Sequence, residues 1–138
     1  MNKLLLSSLF IFLITFSANA QDEAQIDCSD VKTGVFFIPS DDVVSFSTKI
    51  VRTENFQREY LSDGSERTSR LKWLSDCSYI MLPDAKKEGE DPSESLMRQY
   101  GGIEVTYVKR KGDTIYFTAR PHKQKGSFDD LFYMIKIE

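Results

Sequence analysis

The chain is 138 residues long, has a formal net charge of −3, and contains two cysteines and one histidine. That length fits a single domain, and the mildly acidic balance excludes the strongly basic face of nucleic-acid-binding domains. One histidine and two cysteines cannot fill a structural zinc shell without carboxylates. The one dense basic cluster, Lys109-Arg110-Lys111, is predicted to be a solvated turn at a hairpin tip.

Residues 1–20 have the pattern of a signal peptide. Lys3 supplies the positive start, residues 4–16 form a mainly apolar run, and residues 18–20 (Ala-Asn-Ala) are a cleavage site. The run is too short to span a bilayer. We therefore predict an exported protein, periplasmic or extracellular, with no transmembrane segment and with residues 21–138 as a single β domain.

The two cysteines, Cys28 and Cys77, are an even count in an oxidising compartment, which predicts one disulfide between them. Closing such a loop would stabilise the fold by roughly 4 kcal/mol in the chain-entropy model. A redox role is less favoured, because the sequence has no Cys-x-x-Cys motif.

After the signal peptide, apolar and polar residues alternate with a period of two, which is typical of β-strands. Asp63-Gly64 is a strong hairpin-turn signal between two of them. The predicted strands cover residues 34–38, 43–52, 56–61, 66–74, 77–82, 103–108 and 114–119, with a last strand from Phe128 or Leu131 to Ile137.

A short helix is predicted between the fifth and sixth strands. Asp91 has the character of an N-cap, Pro92 follows at the first helical position, and Glu94 stands at the third. Gly101-Gly102 ends the helix. About eight strands with short connections predict an all-β antiparallel meander. We expect a small lipocalin-like barrel or half-barrel, with a two-sheet sandwich as the alternative.

Residues suited to catalysis are scarce. The single His122 lies in a polar stretch and is predicted to be an exposed loop residue, with no Gly-x-Ser-x-Gly motif to accompany it. The pairs Asp41-Asp42 and Asp129-Asp130 lie between strands, where Asp is a common turn residue. We predict no catalytic residues, no metal site and no cofactor. An enzyme, the least favoured class, would depend on carboxylates or tyrosines.

Aromatic residues occur in nearly every predicted strand, and most of them are expected to be core or cross-strand pairs. Four tyrosines are candidate binding residues, because a buried hydroxyl needs a partner: Tyr79, Tyr107, Tyr116 and Tyr133. The first function predicted is a non-catalytic binding module for a small apolar ligand or a peptide. The alternative is a structural or interaction protein of the cell envelope that uses an exposed sheet face or edge to contact a protein partner.

Three spaced patterns carry a family resemblance: Cys28-x5-Gly34-x-Phe36, then Ile50-x-Arg52 with Gln57-x-Glu59, then Lys72-Trp73-Leu74-x-Asp76-Cys77-x-Tyr79. Together they resemble a group of short secreted β-rich proteins of the Bacteroidota with a Cys…Trp-x-x-Asp-Cys framework. The resemblance implies a signal peptide and a β-rich body, and no particular activity. From the strand alternation itself we predict Trp73 in the core, Lys72 on the opposite face, and Asp76 as a turn or cap residue before Cys77.

Overall fold

A computed structural model describes residues 25–84 and 88–138, so the predicted signal peptide lies outside the described residues. Its elements, in chain order, are β1 (Gly34–Ile38), β2 (Thr48–Arg52), β3 (Phe56–Leu61), β4 (Glu66–Ser75), β5 (Ser78–Pro83), α1 (Pro92–Gln99), β6 (Ile103–Lys111), β7 (Thr114–Pro121) and β8 (Leu131–Lys136).

Each strand pairs antiparallel with the next, and β8 returns to pair with β1, which closes an eight-stranded barrel. The predicted antiparallel meander with one short helix is confirmed, and the two-sheet sandwich is wrong. Closure gives β1 and β8 partners on both sides, so neither is left as a free edge that could pair with another chain.

Strand register determines which side chains face the barrel interior, because directly paired residues lie on the same face of a sheet. Ile50 pairs with Phe36 on β1 and with Glu59 on β3, so all three point inward. The buried core comprises Cys28, Val31, Phe36, Ile50, Tyr79, Val105, Tyr107, Ile115, Phe117 and Met134.

The helix begins as the sequence predicts. The Asp91 carboxylate accepts the Ser93 N–H at 2.6 Å, and Pro92 follows the cap. After the helix, Gly101 takes a left-handed φ of 72°, and a Cβ on Gly102 would lie 2.7 Å from the Met81 carbonyl oxygen. Only glycine allows the chain to approach β5 so closely. No helix among residues 25–84 and 88–138 has the length and apolar character needed to cross a membrane.

Two strands begin later than predicted, and the ends of β4 to β8 differ from the prediction by one to three residues. Strand β2 begins at Thr48 and not at Val43, because Asp41 folds the preceding segment into a turn. Its carboxylate accepts the N–H groups of Val43 and Val44 at 2.8 and 2.7 Å, and these bonds lower the pKa of Asp41. Strand β5 begins at Ser78, one residue later than predicted.

Asp76 lies in the turn between β4 and β5, as predicted, but its side chain does not cap that turn. The Ser75 hydroxyl, and not Asp76, accepts the Cys77 N–H, at 3.2 Å. Asp76 instead forms an ion pair with Lys32 at 2.8 Å. Alternating polar and apolar residues predicted the strands well, but they did not show which of two adjacent polar residues would cap the turn.

Candidate functional site

One end of the barrel, here called the lower end, is closed by residues 25–33, the N-terminal strap. The predicted disulfide is present: Cys28 is bonded to Cys77 in the β4–β5 turn, with the Cα atoms 5.4 Å apart. Val31 is fully buried beneath the barrel. Arg110 contacts Asp30 at 2.5 Å and lowers the pKa of that carboxyl, and Lys136 Nζ donates to the Asp30 carbonyl at 2.8 Å.

Arg110 therefore departs from its prediction. The cluster of residues 109–111 was expected to be a solvated turn, and Lys109 and Lys111 are exposed. Arg110 lies near the end of β6, where a shift in register after Tyr107 pairs it with the inward-facing Ile115. It is half-buried and anchors the strap.

Arg52 lies at the centre of the lower end and is only 3% exposed. Its Nε and Nη2 donate to Gln57 Oε1 at 3.0 and 2.7 Å. Nη1 donates to the Val31 carbonyl at 2.9 Å and to the Tyr107 hydroxyl at 2.5 Å, and Nη2 also donates to the Tyr79 hydroxyl at 3.0 Å. A guanidinium has five N–H groups, and each of them has an acceptor here.

All of these acceptors are neutral. Burial raises the pKa of both the Tyr79 and the Tyr107 hydroxyl, so both phenols are un-ionised at neutral pH. The guanidinium carbon also lies 4.6 Å from the Phe36 ring centre and 5.0 Å from that of Tyr79, in a cation–π arrangement. These contacts hold the guanidinium in place, and they leave Arg52 no N–H with which to bind a ligand.

A carboxylate is linked to this cation through one amide. Gln57, itself 3% exposed, accepts from Arg52 and donates through Nε2 to Glu59 Oε1 at 2.6 Å. The amide orientation is fixed, because its oxygen faces the guanidinium and its nitrogen faces the carboxylate. Glu59 lies nearer the upper end, where β3 approaches the turn at residues 62–65.

The upper end differs in burial from the lower end. Seven inward-facing side chains near the upper ends of the strands are half-buried; we call this set the upper interior. Its members are Ile38, Glu59, Leu61, Met81, Ile103, Ala119 and Phe132. Thr48, Ser69 and Pro83, at the same level on β2, β4 and β5, are buried.

The four candidate tyrosines separate into two pairs. Tyr79 and Tyr107 face inward with ring centres 5.9 Å apart, and both hydroxyls contact Arg52. Tyr116 and Tyr133 pair on the outer face, 6.2 Å apart, with Lys109 Nζ 5.6 Å from the Tyr116 ring centre. The four tyrosines therefore do not line one site, and a binding role for any of them stays a prediction.

Trp73 faces inward beside the lower cluster, as predicted, but it is only partly buried because it lies at the margin of the barrel. Its indole Nε1 donates to the Glu54 carbonyl at 2.9 Å, and its ring centre is 4.8 Å from that of Tyr79. Lys72 is exposed on the opposite face, also as predicted.

His122 is half-exposed, and its side chain contacts a carboxylate, so it is not the free loop residue that was predicted. Its Nδ1 lies 2.9 Å from Glu104 Oε2, and Arg120 contacts the same carboxylate at 3.2 Å. These hydrogen bonds lower the pKa of Glu104. The group lies on the outer wall, where Glu104 and Arg120 are cross-strand partners. Within the described ranges, no three His, Cys, Asp or Glu side chains are placed to hold a metal ion.

The site residues predicted from the sequence do not include Arg52, Gln57 or Glu59. The signal was available, since Ile50-x-Arg52 and Gln57-x-Glu59 are spaced by two and each pair must share a strand face. Polar side chains on the same face as Ile50 indicate a polar group inside the barrel.

Comparison with known proteins gave no match: no family model, no curated protein and no solved structure is similar to this chain.

Proposed function

We propose that this protein is an exported, non-catalytic binding module that holds a small, largely apolar ligand at the upper end of its barrel. The supporting observation is the contrast in burial along the interior. Phe36, Ile115 and Met134 at the lower end are at most 1% exposed, whereas the upper interior is only half-buried. In a closed barrel an inward side chain is exposed only to space inside the barrel or at its mouth.

The walls of the upper interior suit a ligand with a large apolar part and one polar group. Ile103, Ala119 and Phe132 form an apolar wall on β6, β7 and β8. On the other side, Thr48 and Glu59 supply polar atoms from β2 and β3. Small eight-stranded barrels have room for one small ligand where side chains do not fill the interior.

The direct test is binding of a lipophilic fluorophore, N-phenylnaphthylamine, to the exported protein. Ala119→Phe places a ring in the upper interior and should abolish the fluorescence increase. Thr118→Phe adds the same ring one residue earlier, on the outer face, and should leave binding unchanged. Overpacking costs about 1–3 kcal/mol, so thermal unfolding should be recorded for both variants. Absence of binding to the parent protein, or retained binding in Ala119→Phe, would contradict the proposal.

Export is part of the proposal and rests on the pattern of residues 1–20 together with the disulfide. The mature chain should begin near Gln21. Amino-terminal sequencing of protein from the periplasmic and extracellular fractions of its host tests this. A mature chain that retains Lys3 would contradict export by cleavage.

A second candidate is an interaction protein of the cell envelope that uses the outer sheet face. Val51 and Phe56 are 36% and 45% exposed on the outer face of β2 and β3, and both line an outer groove of about 430 Å³. Phe56→Lys should then remove a partner that copurifies with the native protein, while fluorophore binding persists. If Phe56→Lys changes neither, this second function fails.

A further inference from the structure

We propose that the polar end of the ligand is an ammonium group recognised by Glu59, and not a carboxylate recognised by Arg52. This inference rests on the proposed function, because it concerns the chemistry of a ligand in the upper interior. We infer it by comparing the two charged side chains inside the barrel and asking which of them can still form a hydrogen bond with a ligand.

Arg52 is excluded as the recognition residue by its own contacts. Its five N–H groups are taken by Gln57, Val31, Tyr79 and Tyr107, at 2.5 to 3.0 Å. A ligand carboxylate could bind this guanidinium only by displacing one of these buried acceptors, which would then lose its partner. Gln57 also lies between Arg52 and Glu59, so an incoming anion would meet the Glu59 carboxylate first.

Glu59 has the free capacity that Arg52 lacks. Among residues 25–84 and 88–138, the one side-chain donor to Glu59 is Gln57 Nε2, which contacts Oε1. A carboxylate has about four acceptor sites, so Oε2 is available to a ligand donor. The hydrogen bond from Gln57 also orients the carboxylate before a ligand arrives, which reduces the ordering cost of binding.

A second cation on the inward face of the sheet, Arg67, lies at the rim of the upper end. Arg67 is the cross-strand partner of Glu59 and is exposed. The pKa values of Asp63 and Asp91 are lowered mainly by hydrogen bonds from Ser65 and Ser93, and the charge of Arg67 adds to both shifts. Within the described ranges, no ion pair joins Arg67 or another side chain to Glu59. The apolar part of the ligand would pack against Ile103 and Phe132 across the interior.

The test compares three probes that share one apolar chain: octylammonium, octanol and octanoate. Each probe is titrated into the exported protein loaded with N-phenylnaphthylamine at neutral pH, and the loss of fluorescence measures displacement. We expect octylammonium to bind most tightly and octanoate about tenfold more weakly, the ratio given by one charge-assisted hydrogen bond. Glu59→Gln keeps the shape and removes the charge, so the preference for octylammonium should disappear. The matched control Glu66→Gln, on the exposed outer face of β4, should keep it.

The outcomes separate this inference from the proposed function. If octanoate binds as tightly as octylammonium, or if Glu59→Gln keeps the preference, the assignment of Glu59 is wrong while the apolar binding site stands. If neither the fluorophore nor any of the three probes binds, the proposed function itself is wrong. The ranking measured on the parent protein is decisive even if Glu59→Gln folds poorly.

Discussion

The two ends of this barrel are built from the same eight strands and are completed in opposite ways. The lower end has a covalent bond from Cys28 to Cys77, a fully buried Val31, and a guanidinium whose donors are all used. The upper interior has half-buried apolar side chains and the Glu59 carboxylate, which accepts one side-chain hydrogen bond among the described residues. The covalent bond and the fully paired guanidinium are thus both at the lower end, and the half-buried inward-facing side chains are the basis of the binding site that we propose at the upper end.

The largest expected effect comes from releasing the N-terminal strap. Replacing both Cys28 and Cys77 by Ala should lower the free energy of unfolding by about 4 kcal/mol, because the bridge spans 49 residues of chain. Urea denaturation of the oxidised parent and of the variant measures this difference. At urea concentrations where the variant is folded, fluorophore binding should persist, since the disulfide is at the lower end. A loss of less than about 1 kcal/mol would show that other contacts hold the strap.

The second change removes the polar centre of the lower end. Arg52→Met should lower the free energy of unfolding by about 3 kcal/mol, because it leaves buried acceptors on Val31, Gln57 and the tyrosines without donors. The matched control Arg70→Met, on the outer face of β4, should stay within about 0.5 kcal/mol of the parent. Chemical denaturation of both variants checks the contrast. Equal effects would mean that the buried cluster is not a major source of stability.

The smallest effect tests the outer wall, which belongs to neither end. The pKa of Glu104 is lowered from its ordinary value of 4.5 by hydrogen bonds from His122 and Arg120. Its contribution to stability is therefore present above pH 4.5 and is lost as pH falls through the lowered value. Glu104→Gln should flatten the acid side of the stability curve by less than about 1 kcal/mol. Identical acid profiles for the parent and Glu104→Gln would show that Glu104 makes no such contribution to stability.

The sequence predicted the framework because alternation and turn residues act locally. Asp63-Gly64, the cap at Asp91 and the period-two strands each depend on neighbouring residues, and all of them were confirmed. The disulfide prediction needed only the two cysteines and the signal-peptide pattern of residues 1–20. Strand 43–52 failed at its start because one side chain, Asp41, competes for backbone N–H groups, which alternation does not register.

The candidate site was harder to predict because its residues meet across the barrel. Arg52 and Tyr107 are 55 residues apart in the chain, yet Arg52 Nη1 lies 2.5 Å from the Tyr107 hydroxyl oxygen. Sequence alternation gives each strand two faces but does not say which face is inside. That is why Tyr116 and Tyr133, which resemble Tyr79 and Tyr107 in the sequence, proved to lie on the outer face.

The most direct measurement of the difference between the two ends uses the methionine methyl groups. Met81 lies in the upper interior, Met134 is 1% exposed in the lower core, and Met97 is on α1. Methyl NMR of isotope-labelled methionine, followed during titration with N-phenylnaphthylamine, reports on all three positions at once. We predict a saturable shift of the Met81 methyl with Met134 and Met97 unchanged. Equal shifts of Met81 and Met134, or binding with no shift at Met81, would contradict a ligand site at the upper end.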